Sequence, residues 1–187
     1  MKFDPLVKVI DNKLFLIADN SEISMDNLKI IDCKKINEQN ISEEENKVIA
    51  LSLDWPMVEM EPGAYNEEFL AELRTFLKNL EEKHIFAFII PSAKKNLEDA
   101  DMADSFIAAM VHTARRIKDA ESVIGFALAK ELLVKDASSA FDENSYGQWF
   151  INEMNIKHGH YVYFAEKKAL EEYALMGKGI DKNLIHY

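Results

Sequence analysis

The chain has 187 residues, 48% of them hydrophobic and 29% charged, enough apolar material for a sizeable core in one compact unit. Its 33 acidic residues against 22 basic ones leave a net charge of −11, which repels a phosphate backbone or an anionic membrane surface and sets nucleic acid aside as a partner. No run of about 18 apolar residues occurs, and the start MKFDPLVKVIDNK has no basic segment ahead of an apolar one; the expectation is a soluble protein, cytoplasmic for want of a leader, with no membrane partner.

Residues 7–10, 14–18 and 28–33 are expected to form short strands, the first two joined by the turn pair Asp11-Asn12. They make residues 1–35 an amino-terminal hairpin leading into a first core strand. The single cysteine, Cys33, excludes an internal disulfide and reads as a small, partly buried hydrophobe. The acidic stretch NEQNISEEEN, residues 37–46, reads as a solvated loop or short helix, with Glu43, Glu44 and Glu45 as its turn.

Residues 48–54 form a near-continuous apolar run, the pattern of a strand buried on both faces. It stops at Asp54-Trp55-Pro56, and the chain turns at Glu61-Pro62-Gly63, with Met57 and Met60 as packing residues between. Asn66 is placed to cap a helix ending near Lys83, with Phe69, Leu70, Leu73, Phe76, Leu77 and Leu80 on one face. A second buried strand follows at 85–90, which Pro91-Ser92 is expected to end because proline cannot continue a central ladder.

The spacing of Phe106, Ile107, Met110, Val111, Ala114 and Ile117 predicts a helix over 101–118, and a buried strand over 123–128 leads into Lys130-Glu131. Beyond lie a helix from Ser145, a strand over 161–165, a helix over 167–176 stopped by Gly177 and Gly179, and a last short strand over 184–187. Strands alternating with helices require crossovers, so the sheet is expected to be predominantly parallel.

In such architectures ligands gather at the carboxyl ends of the strands. Three strand ends stand out: Asp54-Trp55, Pro91-Ser92 and Lys130-Glu131. Trp55 offers an aromatic face suited to the apolar face of a pyranose, or else a core aromatic, and Asp54 reads as a turn or cap residue. Six glycines form no phosphate-binding loop, and no cofactor is expected. Among the five histidines only His158-Gly159-His160 places two close together, which would bind a metal only with distant partners, so no metal site is assigned.

Two segments resemble the cellulase-like, clan A glycoside hydrolases. Residues 48–66 are similar to a family strand of the type Val-Arg-Ile-Pro-Leu-Ser-Trp, followed by a Glu-Pro-x-x-Gly-x-Tyr-Asn loop and a long helix. Arg115-Arg116-Ile117-Lys118-Asp119, then Ser122-Val123-Ile124-Gly125-Phe126 and Lys130-Glu131, look like the segment that ends in the family's Asn-Glu-Pro. LVKVIDNKLFL resembles the short hairpin that precedes many such barrels.

The resemblance implies a (β/α) barrel, a carbohydrate ligand, and Glu131 as general acid/base. It also shows departures. Ala50 replaces the arginine that supports the nucleophile, and Lys130 replaces the asparagine that bonds the sugar 2-hydroxyl. Leu132 replaces the proline, and Ser92 falls where the third strand often carries a histidine. Lys130 would also favour the ionised form of Glu131 and weaken it as an acid. Retention needs a second carboxylate about 5–5.5 Å from the first; the family's comes from a seventh strand, and this chain reaches about a sixth.

A complete eight-stranded barrel takes roughly 250 residues. The expected fold is therefore one α/β domain over 1–187, with β/α units over 47–187: a reduced or partial barrel with a predominantly parallel sheet and an amino-terminal hairpin, or alternatively an open doubly wound sheet. Its open edges call for a cover, from the hairpin, from carboxyl-terminal segments or from a homodimer partner. The expected function is a degenerate, non-catalytic hydrolase-like domain for carbohydrate or protein binding, with Trp55, Asp54, Ser92 and Lys130 on the ligand. The alternative is a retaining glycosidase using Glu131 with a relocated nucleophile such as Asp54 or Glu166.

Overall fold

The computed structural model describes residues 3–38, 41, 47–133, 146–175 and 184–187. Strands β1 (Val7–Ile10), β2 (Lys13–Leu16) and β3 (Glu22–Ile23) form a small antiparallel sheet. Asp11 and Asn12 both take positive φ, 49° and 61°, the backbone that a two-residue hairpin turn of matching twist demands. β3 has no counterpart in the sequence reading, because two residues are too few to show a period.

The main sheet comprises β4 (Lys29–Asp32), β5 (Val48–Asp54), β8 (Phe86–Ser92), β9 (Val123–Ala127), β10 (Val162–Ala165) and β11 (Leu184–His186). All five pairings are parallel, and each strand lies beside the next one in sequence. Between β5 and β8 come the one-turn helix α1 (Trp55–Val58), the hairpin β6 (Glu59–Glu61) and β7 (Ala64–Tyr65), and α2 (Glu67–Glu82). Helices α3 (Ala100–Ile117), α4 (Tyr146–His158) and α5 (Lys167–Leu175) complete the crossovers. Asn66 and Asp99 cap α2 and α3 through their side chains, as helix starts require.

The two faces of this sheet settle its class. One buries Ile49, Leu51, Leu53, Ala87, Ile89 and Tyr163 against α2, α3 and α4. The other buries Val48, Ala50, Phe88, Ile124, Phe164 and Ile185 against Val7, Leu14 and Ile23 of the small sheet, with no helical residue among them. A doubly wound sheet reverses its strand order and carries helices on both faces. Sequential order with helices on one face is instead the wall of a barrel. The wall is not closed: among the described residues β4 and β11 are its edges. The amino-terminal hairpin lies on the concave face, and its Asn12 side chain accepts a hydrogen bond from His186 N–H at 2.7 Å.

Pro91 corrects the expectation that it ends a strand. β8 runs through it to Ser92, with Pro91 opposite Leu53. The ladder to β9 has already stopped at Ile89, so a missing N–H on that side forfeits no ladder bond. Gly125 is required by a close approach: a Cβ there would lie 2.0 Å from the Val162 carbonyl oxygen of the neighbouring strand. Met57 packs on the core as expected, whereas Met60 is 65% exposed on the β6–β7 hairpin. Cys33 is buried, at the start of a short 3-10 turn rather than inside a strand, and burial followed by the nearby Asp32 and Asp54 pushes its thiol up to about 12. Ser145, Gly177, Gly179 and Glu43–Glu45 lie outside the described residues.

Candidate functional site at the carboxyl rim

The three strand ends singled out in the sequence do meet. In the β5–β8 ladder Asp54 is paired with Ser92, and the Ser92 hydroxyl donates to Glu131 Oε1 at 2.9 Å. Ser92 therefore stands between the two carboxylates. Asp54 and Glu131 are the buried carboxylates among the described residues, 6% and 8% exposed.

Their surroundings differ. Asp54 Oδ2 accepts from Lys34 Nζ at 2.8 Å, and Oδ1 lies 3.0 Å from Lys94 Nζ. Burial pushes its carboxyl up, but the two ammonium groups outweigh that and hold it below the usual carboxylate range. The side chain makes no cap bond to α1, so its expected role as a cap is replaced by this clamp. Glu131 sits in a 3-10 turn after β9, and its Oε2 is buried without a hydrogen-bond partner. Lys130 next to it is exposed.

Lys34 and Lys94 escaped the sequence reading. Neither carries a periodic or motif signal, since each reaches Asp54 only through the fold. One local trace exists: Lys94 adopts φ 61°, rare for a residue with a Cβ, and its N–H lies 3.2 Å from the Ser92 hydroxyl. That backbone costs on the order of 1 kcal/mol.

Trp55 is 9% exposed and packs edge-on against Phe106 of α3, with ring centroids 5.6 Å apart. Its indole N–H donates to Glu59 Oε2 at 2.5 Å, and Glu59 Oε1 accepts from Gly63 N–H at 2.7 Å, pinning the β6–β7 hairpin. Lys95 Nζ stands 4.8 Å above the ring. A sugar stacking there must displace that ammonium, an exposed cation–π contact worth about 0.5–1 kcal/mol. The ring borders a cleft of about 580 Å³ between the β6–β7 hairpin and the start of α3.

Ala50, where the resemblance expects an arginine, is buried on the concave face opposite Phe88, which stacks on Phe164 at 3.9 Å. An apolar stack thus fills the interior beneath the rim. Glu166, the other nucleophile considered, is exposed just after β10. His158 and His160 lie at the other end of β10 from this rim, and no group of three metal-ligating side chains occurs among the described residues. No helix among those residues is long and apolar enough to cross a membrane.

No protein-family model matches the chain, and no curated protein matches it. Solved structures do. A hyperthermostable endocellulase superposes with a TM-score of 0.58 at 13% identity, covering 89% of this chain and 58% of its own. The hyperthermophilic endocellulase from the archaeon Pyrococcus horikoshii gives 0.55 at 13%, covering 86% and 56%. Endo-glycoceramidase II from a Rhodococcus species, in a cellobiose-like isofagomine complex, gives 0.53 at 7%, covering 89% and 52%. The chain therefore spans little more than half the length of these proteins. At such identities the likeness is one of backbone. Over the part it spans, this chain has the fold of the cellulase-like glycoside hydrolases.

Proposed function

We propose that the protein is a carbohydrate-recognising domain on a glycoside hydrolase scaffold, with Glu131 and Ser92 as the groups that meet a sugar hydroxyl and no hydrolysis of its own. The observation that carries this reading is the unequal state of the two rim carboxylates. Glu131 keeps a buried oxygen free to accept a hydrogen bond, while Asp54 has both oxygens committed to lysines. A buried acceptor without a donor costs about 1–3 kcal/mol, which a bound hydroxyl would recover. Trp55 and Lys130 border the same rim and would contact the rest of the ligand. The structural neighbours are endocellulases and an endo-glycoceramidase, which favours a sugar as the ligand class.

Retaining hydrolysis is the competing reading, with Glu131 as acid/base and Asp54, held ionised as a nucleophile must be, attacking the anomeric carbon. Turnover of a panel of aryl glycosides separates the two. We expect none from the wild type, together with binding on a glycan array that Glu131→Gln weakens about tenfold. Turnover by the wild type that Glu131→Gln abolishes would establish the hydrolase instead.

We propose further that the sheet edges β4 and β11 are shielded by a second copy of the chain acting as a homodimer. The motivation is that Ile30, on the β4 edge, is 58% exposed. Light scattering that gives a monomer at high concentration would exclude it.

A further inference from the structure

In an antiparallel sheet with one buried face, apolar residues point inward and polar ones outward. The β1–β2 hairpin breaks that rule on its outer side. Val7, Val9, Leu14 and Leu16 belong to the buried cluster on the concave face of the main sheet or pack against it. Successive residues alternate between faces, so Lys8, Ile10, Lys13 and Phe15 point away, and the pairs Lys8↔Phe15 and Ile10↔Lys13 set them side by side. Leu6 and Ile17 extend the same face, joined by the hydrogen bond from Ile17 N–H to the Leu6 carbonyl oxygen at 2.9 Å. Most of these outward positions are therefore apolar.

Leu6, Ile10, Phe15 and Ile17 neither belong to nor pack against either buried cluster of the described residues. Leu6, Ile10 and Ile17 are half of the six large apolar side chains left exposed among those residues, and all three stand on this one hairpin. Exposed apolar side chains scattered singly are ordinary, but a contiguous set marks a surface that another body covers.

The charge on the face selects that body. The chain carries −11, so two copies repel each other over most of their surfaces. Here Lys8 and Lys13 point outward with one carboxylate, Glu22, which lies opposite Phe15 on β3 and pairs with Lys13 Nζ at 2.9 Å. Asp11 and Asp19 lie at the turns that end the face. The face is thus close to neutral and carries both signs, which makes it complementary to its own image. About a twofold axis the apolar positions of two copies meet, and Lys13 of each copy can face Glu22 of the other.

We propose that the outer face of the β1–β2 hairpin is where a second copy of this chain docks, hairpin against hairpin. The inference rests on the homodimer reading given above and names its contact surface. The face runs up to the β11 edge, whose His186 N–H is held by the Asn12 side chain of the hairpin turn, so a copy seated there reaches that edge as well.

Light scattering of the intact chain over a concentration series reads the association. The wild type is expected to dimerise. Ile10→Glu/Ile17→Glu, which places charge at exposed positions, should weaken the dimer about tenfold or more while leaving the urea midpoint of dilute protein in place. Ile30→Glu on the β4 edge should have the smaller effect. Lys13→Glu and Glu22→Lys should each associate several-fold more weakly alone, whereas a one-to-one mixture of the two, with opposite charges facing across the axis, should return to within a few-fold of wild type. A wild type that stays monomeric at high concentration ends both this inference and the homodimer reading. A dimer that Ile30→Glu breaks and Ile10→Glu/Ile17→Glu leaves intact keeps the homodimer reading and overturns this one, as does a mixture that associates no more tightly than its components.

Discussion

The two ends of the six-stranded sheet bury ionisable groups in opposite ways. At the carboxyl rim Asp54 keeps its charge because two ammonium groups reach it, within 3.0 Å. At the amino end His158 is more deeply buried, its contact with the Val111 backbone is outweighed, and burial, reinforced by His160, Lys118 and Lys157, holds its imidazole at about 4. The contrast teaches that burial alone does not decide ionisation. A group buried with a matched counter-charge stays charged, and one buried among like charges gives up its proton.

Both ends hang on one ladder, so the severest disruption strikes its middle. Gly125→Ala would drive a Cβ to within 2.0 Å of the Val162 carbonyl oxygen, forcing β9 and β10 apart and carrying Glu131 and the His160 segment with them. The expected cost is about 3 kcal/mol or more, read from urea unfolding; an unchanged midpoint would show that the strands can give way there.

The next effect separates the ends by pH. The folded His158 imidazole sits at about 4 against an ordinary 6.5, so the unfolded chain binds the extra proton throughout that window. Stability should be complete above pH 6.5 and fall by roughly 3 kcal/mol as the pH drops to 4. His158→Phe should flatten this leg of the stability curve, with His160, lowered in the same direction by burial and Lys118, leaving a smaller slope.

Asp54 acts in a different window. Its folded carboxyl lies below the ordinary 3.8, so its contribution is present above that value and is lost as the pH falls further. Asp54→Asn should remove this more acidic leg and cost about 1–2 kcal/mol at neutral pH. That is less than a fully buried pair, because Lys34 and Lys94 are each more than half exposed. The smallest expected effect is that of Ser92→Ala, about 1 kcal/mol, since it takes one hydrogen bond from Glu131. A loss as large as that of Asp54→Asn would mean that the two carboxylates depend on each other through Ser92.

Much of the scaffold was legible because it is written in local periods. The apolar run over 48–54, the Asn66 cap with its spaced leucines, and the Asp11-Asn12 turn each depend on a few neighbouring residues, and the fold reproduces them. Pro91 was misread because whether a proline ends a strand depends on how far the neighbouring strand extends, which its own segment does not contain. At the rim, the strand-end pattern named Asp54, Trp55, Ser92 and Glu131 but not how they are held. The lysine clamp joins residues 34, 54 and 94, and the hydrogen bond to Glu131 joins residues 92 and 131.

The sequence by itself therefore determined the alternation of strands and helices, the excess of negative charge and the residue types at each strand end, since these rest on composition and short-range spacing. Tertiary structure decided that the sheet is singly wound with its concave face covered by the hairpin. It also decided that Asp54 is clamped while Glu131 keeps an oxygen free, and that the imidazoles of His158 and His160 come together beside Lys118. Each of these is a contact between distant segments, set by which faces the packing of the whole chain brings together.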